Sequence, residues 1–323
     1  MTGNKFYFRI SILVLIVIIS WTSYHILDNG KEEESYPVSV IVDDSNNDRW
    51  IALRLGLEQA ARDYQIDLNY VFTGKLTNAE EEKGFINREL ENGAKGIIVQ
   101  MISSEEDAVE LGEILSKAAF VLLESDVKPE NLYALVEPDN IGIGKAIADA
   151  VKEDFGEELN GKKIGILSGN QNQVSLQQRL SGVEEGFMEE TVDIVWCIEN
   201  RNTVERDNLQ LAEAETVDLI IALENDETEK MVDYMLMEET DDTPLLYGVG
   251  CSEKTVYYLN KGIIKTLVVP NEFSMGYQSM EAMANQLQYH SDKAESGQVD
   301  YLVIDRTNMY DKENQKVLFP IAQ

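Results

Sequence analysis

Val38-Ser39-Val40-Ile41-Val42, running straight into Asp43-Asp44-Ser45-Asn46-Asn47-Asp48-Arg49-Trp50, is the stretch whose reading decides the fold. Four of the first five residues are β-branched and apolar, and they do not alternate with polar ones. Such a run is a strand covered on both faces, which is the condition of a parallel sheet. The eight residues that follow are polar turn and cap formers up to Trp50. A helix then starts at about Trp50, with Leu53, Leu57, Ala60, Ala61 and Tyr64 on one face. Strand, polar loop and amphipathic helix make one β-α unit.

Outward from that unit the pattern repeats. Strands are expected at 68–72, 96–100, 120–123, 163–167, 192–196, 219–223, 245–249 and 264–268. Helices are expected at 78–92, from 103 onward, and at 141–153, 176–188, 205–216, 227–237, 252–261 and 273–288. Repeated β-α units of this kind build parallel sheets flanked by helices. One sheet of so many strands would be unusually wide. The series breaks at Val136-Glu137-Pro138-Asp139-Asn140, so two sheets with a cleft between them are expected. Ligands of open α/β sheets sit beyond the carboxyl ends of the strands, which directs the search to the loops there.

The first 35 residues differ from the rest. From Ile10 to Leu27 no side chain is charged, and a run of about 20 apolar residues has the length of a membrane span. Lys5 and Arg9 precede it, while Asp28 and Glu32, Glu33 and Glu34 follow. The positive-inside bias then leaves residues 1–9 in the cytoplasm and exports the remainder. A cleaved signal peptide shares the positive start and apolar core. Here the exit reads Trp21-Thr22-Ser23-Tyr24-His25-Ile26-Leu27, without a small-x-small cleavage pattern or a lipid-anchor cysteine, which favours a retained anchor over 10–27 and a linker over 28–36.

The net charge of −32 repels phosphates and argues against a nucleic-acid partner; solubility outside the cell accounts for it. The two cysteines, Cys197 and Cys251, give no disulfide framework, and they are read as thiols with a single bridge left open. With two histidines, His25 and His290, neither a His-based triad nor a His-rich metal site can be assembled. There is no G-x-S-x-G elbow, phosphate loop or dinucleotide fingerprint. Gly142-Ile143-Gly144 reads as close helix packing. Carboxylates are abundant, but no pair stands out as a glycosidase dyad. No enzyme, metal or cofactor is expected. The loop ending at Trp50 offers amides, a guanidinium and an exposed indole suited to stack on a sugar face. Glu124-Ser125-Asp126, Ser168-Gly169-Asn170-Gln171 and Glu224-Asn225-Asp226 are further polar loops after strands of both sheets.

Several ordered motifs over about residues 37–323 resemble the type I periplasmic binding proteins, the ribose-binding-protein-like group that includes the ligand domains of LacI-type regulators. They are Ser45-Asn46-Asn47-Asp48-Arg49-Trp50 with Leu53 and Gly56, Gly93-Ala94-Lys95-Gly96-Ile97-Ile98-Val99, Val136-Glu137-Pro138-Asp139-Asn140 with Gly142 and Gly144, Arg179-Leu180-Ser181-Gly182, Ala222 to Asp226, and Gly262, Ile264 and Gly276. The resemblance implies a two-lobed α/β fold of parallel sheets flanked by helices, here behind an N-terminal transmembrane helix. It implies an N-lobe of 37–138 and 271–296 and a C-lobe of 139–270 and 297–323. Carried over by position, Asn46, Asn47, Arg49, Trp50, Glu124, Arg179 and Asn225 are the ligand-binding candidates. Three positions depart from the pattern: Ser125, Gly250 and Pro270 stand where polar or charged residues are usual. The implied role is a membrane-held extracytoplasmic binder of a sugar or polyol, working with an ABC permease or a sensor histidine kinase. The departures keep an alternative open, a degenerate module that signals or scaffolds through protein contacts.

Overall fold

A computed structural model of the chain describes residues 13–23, 36–104, 114, 117–127, 133–199, 211, 213–237, 243–289 and 296–319. Met1–Ser35 and Tyr36–Gln323 are separate compact units. In the first, residues 13–23 are helical and exposed. Both ends of the expected 10–27 span lie outside the described residues. Among the described residues, no helix is long and apolar enough to cross a membrane.

The second unit carries two six-stranded sheets. Strand β1 is Pro37–Ile41, and its last four residues are buried. It lies between β2 (Asp67–Tyr70) and β3 (Gly96–Val99), parallel to both. The sheet continues through β4 (Ala119–Leu123) and β5 (Ala134–Pro138). Helix α1 (Ile51–Tyr64) buries Leu53, Leu57, Ala60 and Ala61, the face its spacing predicts. Helix α2 (Ala79–Glu91) opens on Asn78, whose side chain accepts from the Glu81 amide, satisfying a free helix-start donor.

The chain leaves this sheet after Pro138 and enters α3 (Asn140–Phe155). The second sheet follows: β6 (Lys163–Gly169), α4 (Val174–Gly186), β7 (Asp193–Glu199), β8 (Leu219–Ala222), α5 (Asn225–Met237), β9 (Leu245–Val249), α6 (Glu253–Lys261) and β10 (Ile264–Pro270). The long α7 (Glu272–Tyr289) returns to the first lobe, where Met275, Met280 and Met283 share a core with Leu53, Leu57 and Val40. The expected helix at 205–216 lies mostly outside the described residues.

The last crossing corrects the expected boundary. Residues Gly297–Val299 form β11, which pairs with β5 at the edge of the first sheet, so the C-lobe does not begin at 297. Tyr301–Asp305 form β12, antiparallel to β10 in the second sheet, and α8 (Lys312–Leu318) closes the described chain. Strand orders are β11-β5-β4-β3-β1-β2 and β12-β10-β9-β8-β6-β7. The direction of winding reverses between β1 and β3 in one sheet and between β6 and β8 in the other.

Candidate functional site

The loops at those two reversal points meet. A cleft of about 510 Å³, its open mouth included, is lined from the first lobe by Asp43, Asp44, Asn47, Arg49, Trp50, Lys75, Gln100 and Ile102, and from the second by Asn170, Gln173, Glu224 and Asp226. All follow β1, β2, β3, β6 or β8, as the switch-point rule requires.

The β1 loop is held by its own polar residues. The Asn47 side chain accepts from the Arg49 amide at 3.0 Å, starting a short 3-10 turn, Asp48–Trp50, ahead of α1. Trp50 is 1% exposed, so the expected exposed indole is corrected. Its ring nitrogen donates to the Asp43 carbonyl at 3.0 Å, and the Arg49 guanidinium lies 4.0 Å over the ring. The loop is too short to turn an indole outward while the helix behind it needs an apolar plug.

Behind the cleft lies a buried ion cluster. Glu124 accepts from Arg49 at 2.9 Å and from Arg179 at 3.3 Å, and the Gln100 amide also donates to it. Its φ of +60° is left-handed for a residue with a Cβ, a strain found where a side chain must be aimed. Burial opposes its charge, but the two guanidinium groups outweigh that and hold its pKa below the ordinary value. Arg49 is likewise desolvated, yet Glu124, then Glu272, Asp226 and Glu224, raise its pKa. Arg179 comes from α4 in the other lobe. Besides Glu124 it donates to the Asn140 side chain at 2.9 Å and the Leu223 carbonyl at 3.0 Å.

More contacts cross between the lobes. Asn47 donates to Asp226 at 3.0 Å, Asn170 to the Ile102 carbonyl at 2.7 Å, and Gln173 to the Met101 carbonyl at 2.8 Å. Ser125, one of the altered positions, has a use here: its hydroxyl bonds Ser104 at 3.1 Å and accepts from the Ser175 amide at 3.3 Å. Gly250 lets the next turn approach, because a Cβ there would press on Thr255 and on the Asn225 side-chain oxygen. That oxygen accepts from the Cys251 and Ser252 amides, both at 3.2 Å. Cys197 and Cys251 are free thiols.

Of the seven candidates, Asn47, Arg49 and Trp50 line the cleft. Glu124, Arg179 and Asn225 are buried and spend their polar atoms on neighbouring protein groups. Asn46 is exposed and does not line the cleft. Sequence reasoning missed Lys75, Gln100, Ile102 and Gln173. The strand-end rule, applied to β2 and β3 as strictly as to β1, would have found the first two. It also missed Glu272, which is 3% exposed and whose Oε2 has no hydrogen-bond partner among the described residues. Nothing local in the sequence marks that residue. Among the described residues no cluster could hold a metal ion.

Comparison with known proteins agrees with the two-lobed fold. A family model described as a periplasmic binding protein domain matches residues 38–291. No curated protein sequence matches the chain. Among solved structures, a carbohydrate transporter solute-binding protein from Agrobacterium radiobacter in complex with D-arabinose is 16% identical, with a TM-score of 0.77 over 89% of this chain and 100% of that one. GanP, a glucose-galactose binding protein from Geobacillus stearothermophilus, is 21% identical, with a TM-score of 0.74 over 86% of this chain and 100% of its own. The XylFII-LytSN complex gives 16% identity and a TM-score of 0.71 over 84% of this chain and 98% of that one. At these identities the likeness is one of fold.

Proposed function

Because the chain belongs to the periplasmic binding protein domain family, we propose that it is a membrane-anchored extracytoplasmic receptor that closes its two lobes on a carbohydrate-like small molecule. The family is one of binding domains and the structural neighbours are solute-binding proteins; the chain is a binder and not an enzyme. One observation carries the reading: the switch-point loops of both sheets converge on one polar cleft, walled by Asn47, Arg49, Trp50 and Lys75 on one side and by Asn170, Glu224 and Asp226 on the other. A ligand touching both walls favours the closed arrangement by its differential contacts, and the three crossings of the chain between the lobes, after β5, β10 and β11, are the hinges. Asn47 and Arg49 are its contacts, with the buried Trp50 beneath Arg49; Glu124, shared with Arg179, sets the position of Arg49. Sugar ligands in the names of structural neighbours support a sugar or polyol.

The anchor belongs to this proposal through the uncharged run from Ile10 to Leu27. The partner is an ABC permease or a membrane sensor kinase; a neighbour recorded in complex with a second protein supports a partner that reads the receptor directly. The alternative, a module that works through protein contacts alone, is favoured by one observation: the lobes already bond each other directly at Asn47–Asp226, Asn170–Ile102 and Arg179–Glu124.

A thermal-shift screen of the full-length chain against sugars, polyols and their derivatives separates the two. A ligand that raises the midpoint, and loses that effect in Asn47→Ala, supports the receptor. A screen without any shift, together with a partner that still co-purifies, would leave the protein-contact module standing.

A further inference from the structure

The charges around the cleft do not balance. Asp43, Asp44, Glu224 and Asp226 line it, and Glu272 lies behind it within electrostatic reach of Arg49, Arg179 and Glu124. Both guanidinium groups are engaged by Glu124, at 2.9 and 3.3 Å. Among the described residues the lining offers two cations against these four acids, Arg49, already paired with Glu124, and Lys75 beside Asp43. Glu224 is accommodated by design of the backbone: it reaches across Gly169, whose φ is +70° and whose missing Cβ leaves room for the carboxylate. Glu272, 3% exposed behind the lining and within electrostatic reach of Arg49, adds to this negative charge, and its Oε2 has no hydrogen-bond partner among the described residues. A native protein rarely leaves a buried carboxylate oxygen unmatched, and excess buried negative charge is relieved by protons or by a cation from outside.

We propose that the cleft selects a hydroxylated ligand carrying a protonated amine, an amino sugar or aminocyclitol, with Glu224, Asp226 and Asp43 around the ammonium. This rests on the solute-binding reading above. The acids come from both lobes, Asp43 after β1 and the other two after β8, so an ammonium among them draws the lobes together. Lys75 and Asn47 supply donors for hydroxyls on the first-lobe side. Without a ligand, the Glu224 carboxyl favours its protonated form near neutral pH. Burial, with Glu227 and Asp226 outweighing Arg49 and Lys230, pushes Glu224 up to about 8. Burial, with Glu124 outweighing Arg49 and Arg179, pushes Glu272 up to about 8; the buried Cys251 thiol also faces it and is itself raised by burial. An arriving ammonium therefore displaces protons at neutral pH.

Titration calorimetry of the full-length chain near neutral pH tests this with matched pairs: D-glucosamine and D-glucose, D-galactosamine and D-galactose, streptamine and myo-inositol. At least one amine is expected to bind about tenfold or more tightly than its hydroxyl twin. Heats in two buffers of different ionisation enthalpy should show proton release. Glu224→Gln should abolish the preference, and Asp226→Asn serves as the second variant if the first unfolds. Neutral twins binding as well as the amines would overturn the charge selection and leave the solute receptor intact. Silence from every compound, neutral and amine, would count against both. Putrescine binding as tightly as the best amino sugar would remove the hydroxylated part of the claim.

Discussion

At the residue scale, Glu224 and Glu272 tie the unliganded protein to pH. Each has an ordinary value of 4.5 and is raised to about 8 in the fold. A carboxyl raised on folding favours the folded state fully below 4.5, and that contribution is lost as the pH climbs through about 8. Each group then costs up to about 1.4 kcal/mol per pH unit within that window, less where both lean on Arg49. The thermal midpoint should fall from about pH 5 to about pH 8.5. Glu272→Gln should flatten the profile and raise the midpoint at the alkaline end by about 3 °C. A mutant profile as steep as wild type would reject the assignment. Residues of this kind were the least legible in the sequence. Asn47 and Arg49 were readable because they follow the first strand. Glu272 was not, because its isolation is created by a helix returning from the other lobe.

At the element scale, two helix pairs hold the lobes, and each meets at glycine. A Cβ on Gly56 would strike the Phe273 carbonyl and one on Gly276 the Leu53 carbonyl, joining α1 to α7; Gly144 and Gly182 join α3 to α4 in the same way. The sequence reading of Gly142-Ile143-Gly144 as packing was therefore sound for Gly144. Gly144→Ala forces α4 away at Arg179 itself, whose carbonyl it would meet. It should cost about 1–3 kcal/mol in denaturant unfolding. Gly84 in α2 has open space around it, and Gly84→Ala should stabilise by about 0.5–1 kcal/mol. Equal effects of the two substitutions would mean that the glycine contacts do not set the helix spacing. Central strands such as β1 and β8 were plain from unbroken apolar runs. β5 and β11 were not, since Glu137, Pro138 and Gln298 interrupt them and only pairing with neighbours makes them strands.

At the scale of the molecule, the two-sheet division was legible from the break at Pro138, and the place of the final strands was not, because two short polar segments carry no period of their own. Arg179 ties the lobes through Glu124, and Arg179→Met leaves Glu124 with Arg49 and Gln100 on its own side. The unliganded variant should lose about 3 kcal/mol of stability and show a larger radius of gyration by small-angle scattering; an unchanged radius would mean that this pair does not set the closure. The ending of the chain has its own consequence. β11 completes the first sheet and β12 the second, with Asp300 alone between them. Neither lobe can be finished by a nascent chain until residues 297–305 have left the ribosome. Loss of the final 30 residues would bare an edge on both sheets together, the kind of surface that invites strand-to-strand aggregation. Completion of the two lobes is thus one joint event, and a nick just ahead of β11 would disable both halves at one stroke.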